Sequence, residues 1–337
     1  MLNVLLTVDT ETHAICRDWA SDGLSRDISR DIYGEVGSRR VGLGYQLEVL
    51  RQSGLKAVFM VEALFSAVPE IGTDPLKRIV RLIRDDGHDV QLHLHPDWVA
   101  HIPALGIPFR STVIFPYEEA EQAQMLSVAT DQLVASGAAA PTCFRAGGFG
   151  INRKTLSLLP RFGIRFDTSY NPFYTRSKCR LPAPKSSGHA EEMEGIIEFP
   201  VASFLDFRGK VRPCQIGACS SSEIIAAMNQ AEKAGWDYFV IVSHSFEMLT
   251  RRRPGKGPVA VRENVRRRFE RLCRFLADNR DRFRTIGFDD LDHIQLTQPE
   301  RVEPVIRAPM LNTAIRVPML NTLGRLCEQG YNRLYFG

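Results

Sequence analysis

The sequence predicts an α/β fold built on a parallel sheet. Three observations lead there. Short apolar runs alternate with amphipathic segments of helical period along most of the 337 residues. Glycines and polar clusters separate the runs, as connections between strands and helices require. Polar residues also stand just past the ends of at least four runs: Asp9, His93, Arg145 and His244. Strand C-terminal ends form the working face of α/β barrels, so this placement carries more weight than any single residue.

The elements follow in order. Leu2 to Val8 is an apolar strand that delivers Asp9, Thr10 and Glu11 at its tip. Residues 12 to 37 are polar and irregular, a loop over the site or a poorly packed helix. Val41 to Ser53 has helical spacing and stops at Gly54. Ala57 to Val61 is the second strand. Asp74 to Asp85 places Leu76, Ile79, Val80 and Ile83 on one helical face and ends near Gly87. The third strand, Val90 to Leu94, alternates apolar residues with Gln91, His93 and His95, and Pro96 stops it. Residues 101 to 117 lack periodicity. Glu118 to Ser136 is a helix closed by Gly137, and Thr142 to Phe144 a strand running into Arg145-Ala146-Gly147-Gly148-Phe149. A helix over Lys154 to Phe162 leads to a strand over Gly163 to Phe166, then Asp167-Thr168-Ser169. Residues 172 to 195 read as an exposed loop, and Ile196 to Val201 as a strand. Ser222 to Lys233 is a helix capped by the serine run. Tyr238 to Val242 is a strand ending at Ser243-His244-Ser245. A long helix, Val261 to Asn279, and a last strand, Arg284 to Phe288, complete the alternating pattern.

Composition narrows the class. Hydrophobic residues make up 44% and charged residues 24%, ordinary for a globular chain able to bury a full core. A net charge of +4 does not argue for nucleic acid. No apolar run approaches the roughly 20 residues of a membrane span, and no secretory signal precedes the first strand. Seven cysteines without CxxC spacing read as reduced, buried thiols, and the expected compartment is cytoplasmic. Residues 296 to 337 read as a tail beyond a domain of residues 1 to 295. In it Arg307-Ala308-Pro309-Met310-Leu311-Asn312-Thr313 is echoed nine residues later by Arg316-Val317-Pro318-Met319-Leu320-Asn321-Thr322. It is expected to pack across the barrel or to mediate association.

His93 and His95, two apart on a strand, emerge on the same side. They read either as metal ligands or as a hydrogen-bonded strand end. Asp9 and Glu11 fit a base and a metal carboxylate, or caps of the following segment. His244 is a candidate acid, or a histidine hydrogen-bonded between two serines. His88, at the other end of its strand, reads as structural, and nothing singles out His13, His101, His189 or His293. Arg251 to Arg253, with Lys256 and Arg266 to Arg268, form the one focused basic run. It is a solvated helix face, or a contact for the phosphates of a nucleotide- or lipid-linked sugar or for an anionic membrane surface.

With these places in hand, the chain resembles the polysaccharide deacetylases, the NodB-homology domain of carbohydrate esterase family 4, over roughly residues 1 to 295. Thr7-Val8-Asp9-Thr10-Glu11 is similar to the first motif, Gly87 to Pro96 to the metal-histidine motif, and Arg145 to Phe149 to the arginine motif. Asp167-Thr168-Ser169 resembles the fourth motif and Val242-Ser243-His244 the fifth. His-Leu-His-Pro followed by Asp-Trp looks closest to the branch associated with lipopolysaccharide biosynthesis. The resemblance implies a distorted (β/α) barrel of about seven parallel strands with its site at their C-terminal ends. It implies a deacetylase acting on an N-acetyl, or less readily O-acetyl, sugar of a surface-polysaccharide precursor. Asp9 would be base and His244 acid. A divalent cation, zinc foremost, would be held by Glu11, His93, His95 and Asp97. Arg145, Asp167 and Trp98 would touch substrate or support these groups.

The sequence departs from the family pattern in three places. Thr10 stands where the first motif has a second aspartate, so Glu11 or Asp9 must supply the metal carboxylate. The motif's histidines are four apart, and four beyond His93 is Asp97, so His95 and Asp97 compete for the next ligand position. The arginine motif lacks its prolines. Two rival functions stand beside the deacetylase. One is a glycoside hydrolase pairing Asp9 with Asp167 or Asp97. The other is a non-catalytic sugar-binding or scaffold protein.

Overall fold

Parallel strand pairing organises the chain in the computed structural model, which describes residues 1–12, 23, 27–175, 177–184, 188–206, 209–250, 259–292 and 315–316. Strand β1 (Leu2–Thr10) is central and buried along nearly its whole length, as an apolar run covered on both faces must be. On one side it pairs with β12 (Tyr238–His244) and on the other with β4 (Val58–Glu62). Next come β5 (Asp89–Leu94), β6 (Cys143–Ala146), β7 (Phe166–Asp167) and β9 (Ile196–Glu198), each parallel to its neighbour. A parallel bridge between Val201 and Val240 then returns the chain to β12. Seven parallel strands thus curl into a distorted barrel, as expected. Strand β13 (Phe283–Thr285) pairs with the start of β1.

The helices form where period and caps agree. Helix α1 (Leu43–Ser53) ends on Gly54 at φ 58°, the left-handed cap that the glycine predicts. Helix α2 (Asp74–Asp85) has proline in its first turn and buries Leu76, Ile79, Val80 and Ile83. Helices α3 (Glu119–Ala135) and α4 (Arg153–Leu158) follow, the latter capped by Asn152, whose side chain accepts from Thr155 N–H at 3.0 Å. Helix α5 (Ser221–Lys233) starts at a reciprocal box. Ser220 N–H donates to Glu223 (2.9 Å), and Glu223 N–H donates to Ser220 Oγ (3.2 Å). Helix α6 (Glu263–Asp278) packs against α1 and α5. Cys143, Cys179, Cys214, Cys219 and Cys273 are buried free thiols. Among the described residues no helix is long and apolar enough to cross a membrane.

Several segments differ from expectation. Residues 172–195 are not all loop, because β8 (Glu191–Met193) pairs antiparallel with β9. Their turn has Glu194 and Gly195 both at positive φ, 51° and 78°, the twist that suits a two-residue hairpin. Within residues 12–37, the described part holds a turn of helix at Ile28–Ile32 and β2 (Glu35–Val36), which forms a hairpin with β3 (Arg39–Arg40). A second small sheet joins β10 (Ser203–Leu205), β11 (Val211–Pro213) and β14 (Ile315–Arg316). The rest of the C-terminal repeat lies outside the described residues, as do Arg251 to Arg253, Lys256, His13 and His293. Of the basic run that is described, Arg268 is buried and donates to the Ile216 carbonyl (3.2 Å). Arg266 is paired with Glu263 and Glu270. Neither is a free surface cation, while Arg267 between them is exposed.

The barrel wall buries two acids against each other. Asp167 accepts from Ser169 N–H (2.9 Å) and Oγ–H (2.8 Å), and hydrogen-bonds to Glu198. Glu198 accepts from Tyr170 N–H (3.0 Å). Burial, with Asp167 beside it, pushes Glu198 well above the usual carboxylate range, and burial raises Asp167 as well. A raised acid favours the folded state fully below its unfolded pKa, and that contribution is lost as pH rises toward the folded value. Glu198→Gln keeps one acceptor and one donor at this position and removes the titration. Thermal unfolding should show the variant gaining stability over the parent at pH 8, with the gain vanishing near pH 4. An equal difference at both pH values would contradict this account.

Candidate metal centre and acid–base groups

The C-terminal ends of β1, β5, β6 and β12 bring the candidate groups together. His93 closes β5 and His95 follows it, with ring centroids 5.0 Å apart and edge-on. Glu11 extends from β1 so that its Oε2 lies 3.1 Å from His93 Nε2 and 2.5 Å from His95 Nε2. The ligand atoms of these three residues all lie within 4.8 Å of one another.

The other ring nitrogens explain why the Nε2 atoms converge. His93 Nδ1 is 2.8 Å from the Arg145 carbonyl oxygen, which only a protonated Nδ1 can satisfy, so in the neutral ring it is Nε2 that carries the lone pair. His95 Nδ1 faces Asp97 Oδ2 at 3.3 Å. Metal-binding histidines are oriented by this kind of outer contact. Asp97 therefore sits on the far side of His95, outside the cluster of three.

Charge in the cluster is compensated. Burial alone would raise Glu11, but His95 and His93 outweigh it and hold the carboxylate well below its usual range. Burial would lower His95, but Glu11 and Asp97 outweigh it and raise the imidazole well above its ordinary value. His95 Nε2 is fully enclosed yet makes no well-aligned hydrogen bond. A carboxylate and two imidazoles around one point, one with an orphaned nitrogen, fit a divalent cation.

Asp9 lies beside this cluster. Arg145 Nη1 donates to its Oδ1 at 2.5 Å and to Thr7 Oγ1 at 2.8 Å, while Nε donates to the Thr168 carbonyl at 3.1 Å. Arg145 is 0% exposed, so it cannot grip a substrate from the groove. It fixes Asp9 instead. Asp167 makes no hydrogen bond to Arg145 or His244; within that motif it is Thr168 that reaches Arg145. Trp98 is buried with its ring 5.8 Å from Phe65 and belongs to the core, not to a substrate wall.

His244 sits opposite Asp9 in the β1–β12 register. Its Nε2 is 3.8 Å from Asp9 Oδ2 and 3.9 Å from Glu11 Oε1. Its Nδ1 faces Glu247 Oε1 at 3.6 Å, and Gln215 Nε2 donates to that same oxygen at 2.7 Å. Burial opposes the imidazolium, but Glu247, Asp9 and Glu11 outweigh it and lift His244 to about 9.

Two site residues escaped the sequence reading. Glu247, three beyond His244, was masked by the serines flanking the histidine. Glu62 ends β4 beside His93 in register and accepts from Leu64 N–H at 2.8 Å. Burial chiefly, with Glu11 adding, raises it to about 8 against the pull of His95. The rule of polar residues at strand ends, applied to the second strand, would have found it. His88 is buried against Phe59 at the opposite end of β5, as expected.

No protein-family model matches the sequence, and no curated protein matches it. Solved structures do. A provisionally named polysaccharide deacetylase from Mycobacterium smegmatis superposes with a TM-score of 0.56 at 17% identity, covering 87% of this chain and 90% of that one. A family 4 carbohydrate esterase from Streptomyces lividans, solved with acetate, gives 0.41 at 14% identity, covering 85% and 92%. The first of these likenesses shows the fold.

Gly147 has a direct bearing on His95. A Cβ at Gly147 would fall 2.6 Å from the His95 ring and 2.6 Å from the Leu94 carbonyl oxygen, too close for either to remain. Gly147→Ala should therefore keep the fold by circular dichroism but weaken Zn(II) binding about tenfold or more, in line with losses at supporting positions of metal sites. Gly44→Ala, with nothing within 4 Å, is the control. Equal Zn(II) affinity in both variants would rule out the steric role.

Proposed function

We propose that the chain is a divalent-metal-dependent deacetylase of the carbohydrate esterase family 4 type. It hydrolyses the N-acetyl group of a sugar, and a surface-polysaccharide or lipopolysaccharide precursor in the cytoplasm is the substrate we favour. One observation carries the proposal: Glu11, His93 and His95 meet Asp9 and His244 at the same end of the barrel. The fold shared with the Mycobacterium smegmatis chain agrees with it.

Glu11, His93 and His95 would hold the cation. When bound, it would polarise the acetyl carbonyl and lower the pKa of water toward about 7. Asp9 acts as base. Arg145 holds its Oδ1, leaving Oδ2 on the side of His244 to take a proton from the attacking water. His244, protonated at neutral pH with Glu247 behind its Nδ1, delivers a proton from Nε2 to the departing amine. Glu62, protonated at neutral pH, adds no second negative charge beside Glu11.

The glycoside-hydrolase alternative needs two carboxylates facing across a cleft. Asp167 is fully buried against Ser169 and Glu198, and Asp97 is turned to His95. Neither arrangement favours that chemistry.

Acetate release should be measured with Zn(II), Co(II), Mn(II) or Ni(II) on N-acetylglucosamine, penta-N-acetylchitopentaose and UDP-N-acetylglucosamine. The expected result is release by the parent chain on at least one substrate, falling by about 100-fold or more in His244→Ala and His93→Ala. No acetate from any pairing of cation and substrate would overturn the proposal.

A further inference from the structure

The nine-residue repeat near the C-terminus meets the described structure at one point. Its copies are Val305-Ile306-Arg307-Ala308-Pro309-Met310-Leu311-Asn312-Thr313 and Ala314-Ile315-Arg316-Val317-Pro318-Met319-Leu320-Asn321-Thr322. They are identical at seven of nine positions, and at the other two valine and alanine change places. Ile315 and Arg316 of the second copy form β14, which pairs parallel with β10 through Phe204↔Ile315 and Leu205↔Arg316. Pro318 stands two residues past β14, and a proline has no N–H to carry a ladder onward. The strand that docks is short because the repeat itself ends it.

Strand β10 has two edges. β11 takes one of them antiparallel, from Ser203↔Pro213 to Leu205↔Val211, and β14 takes the other, lying against α5. An extended segment added to a sheet edge is held by main-chain hydrogen bonds, while the fit of its side chains decides which segment is taken. Ile306 and Arg307 bring the same two side chains as Ile315 and Arg316, and Pro309 brings the same stop. Tether length does not separate the copies. From Asp292 the second copy is reached through residues 293–314 and the first through residues 293–305. Closure scales with the 3/2 power of loop length, so the shorter tether favours the first copy by only about twofold. Residues 293–305 also reach up to roughly 45 Å, more than twice the radius of gyration of about 20 Å expected for a chain of this length. The dock adjoins the acid side of the site. β11 runs into the turn of Gln215, whose backbone bridges to Val242 and whose side chain donates to Glu247 behind His244 at 2.7 Å.

We propose that the outer edge of β10 docks either copy of the repeat, so that Ile306-Arg307 and Ile315-Arg316 exchange on it in two registers nine residues apart. The occupant is this chain's own segment, because a tethered copy competes at a far higher effective concentration than a copy on a second chain. Exchange passes nine residues from one side of the dock to the other and leaves β10 filled throughout. Either register completes the sheet whose β11 strand leads to Gln215.

Hydrogen exchange of the full chain tests this in Ile306→Pro, in Ile315→Pro and in the double variant, since proline cannot take part in the ladder. Each single variant should keep residues 203–205 protected to within about threefold of the parent, and in Ile315→Pro the protection of the docked strand should pass to residues 306–307. The double variant should lose protection at residues 203–205 by about tenfold or more, while β1 keeps its own. A peptide of residues 303–313, added at a concentration on the order of millimolar to match the tether, should restore that protection. The same peptide carrying Ile306→Pro should not. Exchange in Ile315→Pro alone as fast as in the double variant would overturn the proposal, because only the second copy would then dock. Unchanged protection in the double variant, or no restoration by the first-copy peptide, would overturn it as well. So would protection in Ile315→Pro that disappears on dilution, which would make the occupant a second chain.

Discussion

Arg145, sealed from solvent inside the barrel, is the residue on which the site depends. Its guanidinium spans β1 and the end of β7, holding Asp9, Thr7 and Thr168 at once. Its carbonyl oxygen sets the tautomer of His93. Two residues later, Gly147 leaves the space in which His95 lies. One short segment thus orients Asp9 and both imidazoles. Removing the guanidinium would leave a buried carboxylate unpaired, a change that costs about 3–5 kcal/mol where it has been measured. The pair is better read as positioning than as net stabilisation.

The same economy governs the charges. Glu11 and His95 settle each other, and Asp97 stands behind His95 as Glu247 stands behind His244. Each imidazole therefore has one nitrogen turned to an acceptor and the other turned inward. That arrangement agrees with the proposed roles, a cation on the inward nitrogens of His93 and His95 and a proton on that of His244.

Much of this was legible in the sequence because it follows from period and placement. The order of strands and helices, the face of α2 and the cap of α1 are local facts. Asp9, His93 and His244 announced themselves by standing at strand ends. What was not legible depended on where side chains turn in three dimensions. Arg145 reads as a substrate contact or a support, and only packing shows that it points inward. Asp167 and Thr168 are neighbours, and nothing local says that the threonine reaches the arginine while the aspartate caps a turn and meets Glu198. Trp98 follows the histidines directly yet falls into the core against Phe65. The β8–β9 hairpin was missed because its turn is Glu-Gly, without the asparagine or aspartate that usually marks such a turn. Asp97 reads as a rival of His95 for the same ligand position, and only ring orientation shows that it faces His95 Nδ1 from outside the cluster of three.

The proposed cation site of Glu11, His93 and His95 is open to calorimetric titration of the metal-free chain with Zn(II) at neutral pH. One cation per chain should bind to the parent protein, with binding lost in both His93→Ala and His95→Ala and retained in His88→Ala. Absence of binding in the parent, or equal binding in the His95→Ala chain, would contradict it.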